Sequence, residues 1–320
     1  MASPFSPEYT HCYADLNGIR LHYVDVGPRD GIPVVLLHGW PDLWWGWRHQ
    51  IQALRATYRV IVPDQRGFGA TTSPDAYEAY RKSIVAHDYA LLLDHLGLPR
   101  AVFLGHDWGG AVAWAMAQFY PSRVLAVGAI CTPYIPQPRA YVPLEMIAAV
   151  KPSFRYQLLL QAPSTAALFD AHAENVFTLA YGGLPLNAPS KDLHDVMASV
   201  ATLAFAPGGL PLSSDDMAYY VAEYARQGFA KSLNWYQTTE LDWIDAHGLE
   251  RVIPHNALFI SAGKDPVLRP EFSAGMEKWL PNLTRGHVPN GTHWVLWEFP
   301  DEVNAMVKSW LASLGGRAKM

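Results

Sequence analysis

Asp107 stands in the middle of Gly105-His106-Asp107-Trp108-Gly109-Gly110. An apolar run, Ala101-Val102-Phe103-Leu104, precedes it, and a helix-compatible stretch over residues 111–119 follows. Small residues on both sides permit a sharp strand-to-helix turn that holds the central side chain up and exposed. This is the pattern of a nucleophile elbow, G-x-Nu-x-G, with a carboxylate in place of the usual serine hydroxyl. The first N–H groups of the following helix face such a carboxylate and favour its ionised form. The competing reading is an Asp that only caps the helix.

Three further pieces complete a nucleophile–acid–histidine set in that chain order. His38-Gly39-Trp40-Pro41 follows the apolar run Val34-Val35-Leu36-Leu37. At this position a hydrolase loop supplies one backbone N–H to an oxyanion hole, and the residue after the nucleophile supplies the other. Those donors are the N–H groups of Trp40 and Trp108; by itself the His38–Pro41 loop could be only a tight turn. Asp265 lies 158 residues after Asp107, just past Ala257-Leu258-Phe259-Ile260, and His293 lies 28 residues further on. Asp242 and Asp245 compete with Asp265, and His255 and His287 compete with His293. Position after a late strand selects Asp265, and the small Gly291-Thr292 lead-in to a loop selects His293.

The elements that must hold these residues are also legible. Asn17-Gly18 between Tyr13-Ala14-Asp15-Leu16 and Ile19-Arg20-Leu21-His22-Tyr23 predicts a two-residue hairpin. Short continuous apolar runs, such as Val60-Ile61-Val62 and residues 124–131, fit strands buried on both faces of a parallel sheet. A helical stripe over residues 83–96 and a last helix over residues 301–314 alternate with them, which predicts an α/β fold. From Pro133 to about residue 247 the pattern is helical without a strand-like run. The chain is therefore expected to carry a sheet core, residues 1–132 and 248–320, with a helical cap inserted over residues 133–247.

Composition narrows the class. Of 320 residues, half are hydrophobic and 17% charged, enough for a large core. A net charge of −5 argues against nucleic acid or an anionic membrane as partner. No apolar run reaches the ~20 residues that span a bilayer, so no membrane anchor is expected. Residues 1–9 lack the basic and apolar regions of a secretory signal. Two cysteines, Cys12 and Cys131, make neither a disulfide framework nor a thiolate zinc site. Twelve tryptophans suggest an apolar cavity, with Trp44, Trp45, Trp235, Phe169 and Phe177 as candidate walls.

His38-Gly39-Trp40-Pro41-Asp42, Arg66-Gly67-Phe68-Gly69, the Asp107 elbow and the late Asp265 and His293 together resemble the epoxide hydrolases of the α/β-hydrolase fold. The resemblance runs over nearly the whole chain. It implies a helical cap carrying two tyrosines that donate to the epoxide oxygen. Phe154-Arg155-Tyr156-Gln157 and Leu233-Asn234-Trp235-Tyr236 match the surroundings of that pair, so Tyr156 and Tyr236 inherit the role. One departure is Ala70-Thr71-Thr72, where such enzymes commonly have serine; it lies off the catalytic set. The residue type suits the reaction: a serine opening an epoxide would leave an ether, whereas a carboxylate leaves an ester that water can cleave. The resemblance implies a small epoxide and water as the only partners, with no metal and no cofactor.

The nearest rival is a haloalkane or haloacid dehalogenase, which uses the same Asp nucleophile but must cradle a halide. The tyrosine segments favour an oxygen leaving group. An esterase is disfavoured by the absence of G-x-S-x-G, and a catalytically idle binding protein by the complete set. Lacking an anchor, the chain is expected to be a cytoplasmic hydrolase. In a eukaryote, Ala318-Lys319-Met320 would also read as a peroxisomal address similar to S-K-L.

Overall fold

The computed structural model describes residues 3–208 and 210–315. The Ala318-Lys319-Met320 tripeptide lies outside them. Eight strands form, the central ones from apolar runs bounded by turn residues: β1 (His11–Leu16), β2 (Ile19–Val26), β3 (Pro33–Leu37), β4 (Arg59–Pro63), β5 (Ala101–His106), β6 (Val124–Ile130), β7 (Ala257–Ala262) and β8 (Leu283–Val288). They make one sheet in the order β1-β2-β4-β3-β5-β6-β7-β8. β2 runs antiparallel to both its neighbours, and every other pair is parallel. The first two strands meet at Asn17 (φ 48°) and Gly18 (φ 75°), the left-handed pair that a tight hairpin requires.

The parallel strands are buried on both faces; Val34, Val35, Leu36 and Leu37 are all fully enclosed. Helices Lys82–His95, Trp108–Phe119 and Pro300–Gly315 flank the sheet. The helix after the elbow begins at Trp108, three residues before the apolar stretch that announces it in the sequence. β8 is not legible in the sequence at all. It sits at the sheet's outer edge, where its Leu-Thr-Arg-Gly-His-Val series is mostly exposed, so neither a continuous apolar run nor a clean alternation marks it.

Between β6 and β7 the chain runs through short helices, among them Tyr156–Leu160, Thr165–Ala171, Ala173–Ala180, Ser214–Gln227 and Thr239–Asp245. A single antiparallel bridge, Pro185 to Phe205, is the extended pairing found there among the described residues. Much of the tryptophan excess serves the seam between this segment and the sheet. A buried indole needs a partner for its N–H, and five find theirs across that seam. Trp40 donates to Ser232 Oγ (3.2 Å), Trp44 to Tyr219 Oη (3.0 Å) and Trp45 to Asp216 Oδ1 (2.6 Å). Trp235 donates back to the Arg66 carbonyl (2.8 Å), and Trp294 to the carbonyl of Ala180. None of the helices among the described residues is long and apolar enough to cross a membrane.

Candidate active site

Every loop singled out in the sequence leaves the carboxyl end of a parallel strand. β3 leads into His38, β5 into Asp107, β7 into Asp265 and β8 into His293. Neighbouring parallel strands place these ends along one edge of the sheet, where such folds bind ligands.

Asp107 occupies φ 52° and ψ −125°, a conformation that costs a side-chain-bearing residue about 1–3 kcal/mol. The surroundings hold it there. Its carbonyl accepts from Thr132 Oγ1 (2.7 Å) and from the N–H of Gly110 (2.9 Å). Gly109 is obligatory for the close approach of the chain at Leu37 and His38: a Cβ there would run into their backbone. Gly39 is matched in the same way to the Asp107 side chain. The Asp107 carboxylate makes no side-chain capping bond to its helix. Instead Oδ1 accepts the N–H of Trp40 at 2.9 Å, and the N–H of Trp108 adjoins the carboxylate and favours its ionised form.

The His38–Pro41 loop is braced from below. His38 is buried and pushed down to about 4 by burial, so it is neutral. The Gln65 N–H donates to His38 Nε2 at 3.0 Å, which places the ring proton on Nδ1, aimed at the Gly39 carbonyl 2.9 Å away. Pro41 follows Trp40 through a cis peptide bond.

His293 sits between two carboxylates. Its Nδ1 is 2.7 Å from Asp265 Oδ2, and its Nε2 is 3.6 Å from Asp107 Oδ2. Asp265 Oδ1 accepts the N–H groups of Val267 (2.9 Å) and Leu268 (2.8 Å). Burial opposes charge on Asp265, yet His293 and those N–H groups outweigh it and hold the acid at about 2. Burial likewise opposes charge on His293, and Asp265 with Asp107 overcomes it and raises the imidazole to about 9. Burial pushes Asp107 upward, against His293 and the two backbone donors. The competing residues lie elsewhere: Asp242 and Asp245 pair with Lys82 and Arg81, His287 meets Ser261, and His255 meets the Pro121 carbonyl.

A cavity of about 340 Å³ opens above Asp107 and His293. Tyr156 and Tyr236 both line it, their rings 6.4 Å apart at 74°. Burial keeps both phenols protonated far above the ordinary tyrosine range, helped by the negative charge of Asp107 at Tyr156 and by Tyr156 and then Asp107 at Tyr236. They are donors in a site whose floor is an anion. Phe169 lines the cavity as the sequence suggested, and Val176, Leu179, Met197 and Val200 join it. Trp44 and Trp235 do not line it, nor do Trp45 and Phe177. The three indoles are drawn away by their seam acceptors, and Phe177 packs on Tyr224 (5.0 Å). Sequence reasoning missed Lys264, Thr292 and Glu298, which also face the cavity; only their adjacency to Asp265 and His293 could have flagged them. Trp40 was named for its backbone, and its ring also walls the cavity.

The described residues contain one cluster with metal-ligating atoms in mutual reach, His106, Cys131 and His293, within 4.8 Å. Its donors are engaged otherwise: His106 Nε2 and Cys131 Sγ meet the His293 carbonyl, and His293 Nδ1 meets Asp265. What the arrangement can do is nucleophilic attack by a carboxylate, oxyanion stabilisation by two N–H groups, and proton transfer at His293 Nε2.

Residues 32–300 match the family described as alpha/beta hydrolase fold. The chain is 37% identical to bifunctional epoxide hydrolase 2 of Mus musculus over 96% of its length, but spans only 56% of that protein. Epoxide hydrolase A of Mycobacterium tuberculosis is 35% identical, with 95% of this chain and 98% of that protein covered. The crystal structure of epoxide hydrolase A from Mycobacterium thermoresistibile superposes with a TM-score of 0.85 at 32% identity, covering 95% of this chain and 98% of that one. The chain belongs to the epoxide hydrolases of the α/β-hydrolase fold family.

Proposed function

We propose that this protein hydrolyses epoxides to vicinal diols through a covalent ester on Asp107. The observation that carries the reading is an elbow carboxylate 3.6 Å from His293 Nε2 in a cavity that two protonated phenols share. Residues 133–247 act as a lid that brings those phenols over the nucleophile.

Asp107 Oδ1 rests on the Trp40 N–H, which leaves Oδ2 to attack a ring carbon from behind. The carbon–oxygen bond breaks, and the alkoxide takes a proton from Tyr156 or Tyr236. Ester formation removes the negative charge of Asp107, one of the influences that hold the proton on His293. The imidazolium then gives up its proton to the tyrosinate left by ring opening, which restores the phenol and leaves a neutral imidazole when a base is needed. Neutral His293 takes a proton from water through Nε2, and the hydroxide adds to the Asp107 carbonyl carbon. The oxyanion lies against the N–H groups of Trp40 and Trp108, where loss of one donor typically costs about 3–4 kcal/mol. Collapse releases the diol, whose oxygen takes the proton from His293; the new Asp107 carboxyl then gives its own proton to His293, which restores the starting ion pair, while Asp265 stabilises the imidazolium. Water and a small epoxide are the only partners the scheme requires.

Dehalogenation by the same nucleophile is less well supported. Its halide cradle needs free indole N–H groups, yet that of Trp40 is given to Ser232 at 3.2 Å, and the two cavity phenols suit an oxygen leaving group. Styrene oxide, a chloroalkane and a p-nitrophenyl ester offered to one preparation separate the readings. Diol formation from styrene oxide alone is expected. A single turnover in ¹⁸O-water should leave label in Asp107 and little in the first diol; label going directly into the diol would sink the ester.

A further inference from the structure

We infer that Glu298 is a positioning residue for His293, clamping the loop that carries the base so that ester hydrolysis, and not ester formation, depends on it. The inference rests on the proposed function and concerns a carboxylate outside the Asp107–His293–Asp265 set. Glu298 ends the one-turn helix Val295–Glu298 and faces the cavity beside His293. Both its oxygens are committed to the residue before the base: Oε2 accepts the Thr292 N–H and Oε1 accepts the Thr292 hydroxyl, each at 2.7 Å.

The loop has other contacts, among them the Gly291 N–H on the Val288 carbonyl (3.2 Å) and the Trp294 indole on the Ala180 carbonyl. The Gly291 carbonyl accepts the Lys264 N–H at 2.8 Å, and the His293 carbonyl accepts from His106 at 2.7 Å. Thr292 lies between these two anchors, and its hydroxyl also accepts the Trp294 N–H at 3.3 Å. The Glu298 clamp therefore sets the backbone on one side of His293, while Asp265 sets the ring. A carboxylate suits the task because one side chain must accept from two donors at once. Glutamine offers one such acceptor and turns an NH₂ group toward the other donor.

Positioning of the base is felt only when the base acts. In the first half-reaction Asp107 attacks and the phenols donate, so a loosened His293 changes little. In the second, Nε2 must take a proton from a water aligned with the ester carbonyl, and small misplacements are costly.

The test is a single turnover of the full chain with styrene oxide, following the Asp107 ester by intact mass. Glu298→Gln and Thr292→Val should form the ester within about twofold of the native rate. Both should lose it roughly ten- to a hundredfold more slowly, as expected for a hydrogen bond to a charged group. Thr292→Ser keeps the hydroxyl and should recover most of the native hydrolysis rate. The inference fails if Glu298→Gln clears its ester at the native rate. It also fails if both steps slow together, or if Thr292→Ser is as slow as Thr292→Val. A native protein that forms no ester on Asp107 would overturn the proposed function itself, a distinct result.

Discussion

The backbone N–H of Trp40 donates to Oδ1 of Asp107 at 2.9 Å, across 67 residues of chain. A donor proposed for the oxyanion hole is thus occupied at rest by the carboxylate of the proposed nucleophile. On the proposed mechanism the same oxygen becomes the ester carbonyl, so the hole is in place before the charge it must stabilise appears. Preorganisation of this kind needs no rearrangement during the reaction.

If His293 is the base, His293→Gln should still form the ester and then hold it. Intact-mass spectra should show a substrate adduct whose decay is about 10²–10⁴-fold slower than in the native protein. Asp107→Ala should show neither adduct nor turnover. Native turnover by His293→Gln would reassign the base.

The pH profile of ester hydrolysis follows from the charges around His293. With both carboxylates ionised, its imidazole titrates at about 9. The ester removes Asp107's charge, so single-turnover hydrolysis should rise with pH through an apparent pKa below that value. Asp265→Asn should lower the apparent pKa further and reduce the plateau by as much as about 10⁴-fold, the scale seen when a triad acid loses its charge. A profile unmoved by Asp265→Asn would separate Asp265 from the base.

Each phenol donates to a developing alkoxide in the scheme, a bond worth about 1.5–3 kcal/mol. Tyr156→Phe and Tyr236→Phe should each slow ester formation about ten- to a hundredfold, and the double change should be far worse. Ester hydrolysis should respond less, because its charge develops at Trp40 and Trp108. Stopped-flow tryptophan fluorescence can follow both steps. Wild-type alkylation by both variants would leave the phenols as packing groups only.

Acid should destabilise the fold through two buried neutral histidines. Burial holds His38 at about 4 and His106 at about 3, against an unfolded value of about 6.5. Between those limits the unfolded chain binds protons that the folded one does not, so stability falls as pH drops below about 6.5. Between pH 7 and pH 5 these two contribute roughly 2 kcal/mol each to the loss of unfolding free energy read in urea, partly offset by buried Asp42, which is pushed up to about 7 and takes up a proton in the folded state. His38→Asn should flatten that dependence; an unchanged pH slope would show that His38 does not contribute.

The sequence by itself determined which strands form the buried sheet, where the elbow turns and the chain order of Asp107, Asp265 and His293. Those features are local. Apolar runs, Asn17-Gly18 and the glycines around Asp107 each satisfy a constraint set by a few neighbouring residues. The edge strand β8 escaped because partial solvation removes the pattern on which such a reading depends. Tertiary structure alone decided the rest. Trp44 and Trp235 have the composition of cavity walls, yet buried indole N–H groups go to their nearest acceptors, at Tyr219 and Arg66, and those lie on the seam. Glu298 looks like one more surface acid until the turn of a short helix folds its carboxylate back onto Thr292. Both outcomes depend on distances between residues remote in sequence or on the exact path of a loop, and neither is encoded in any residue's type or spacing.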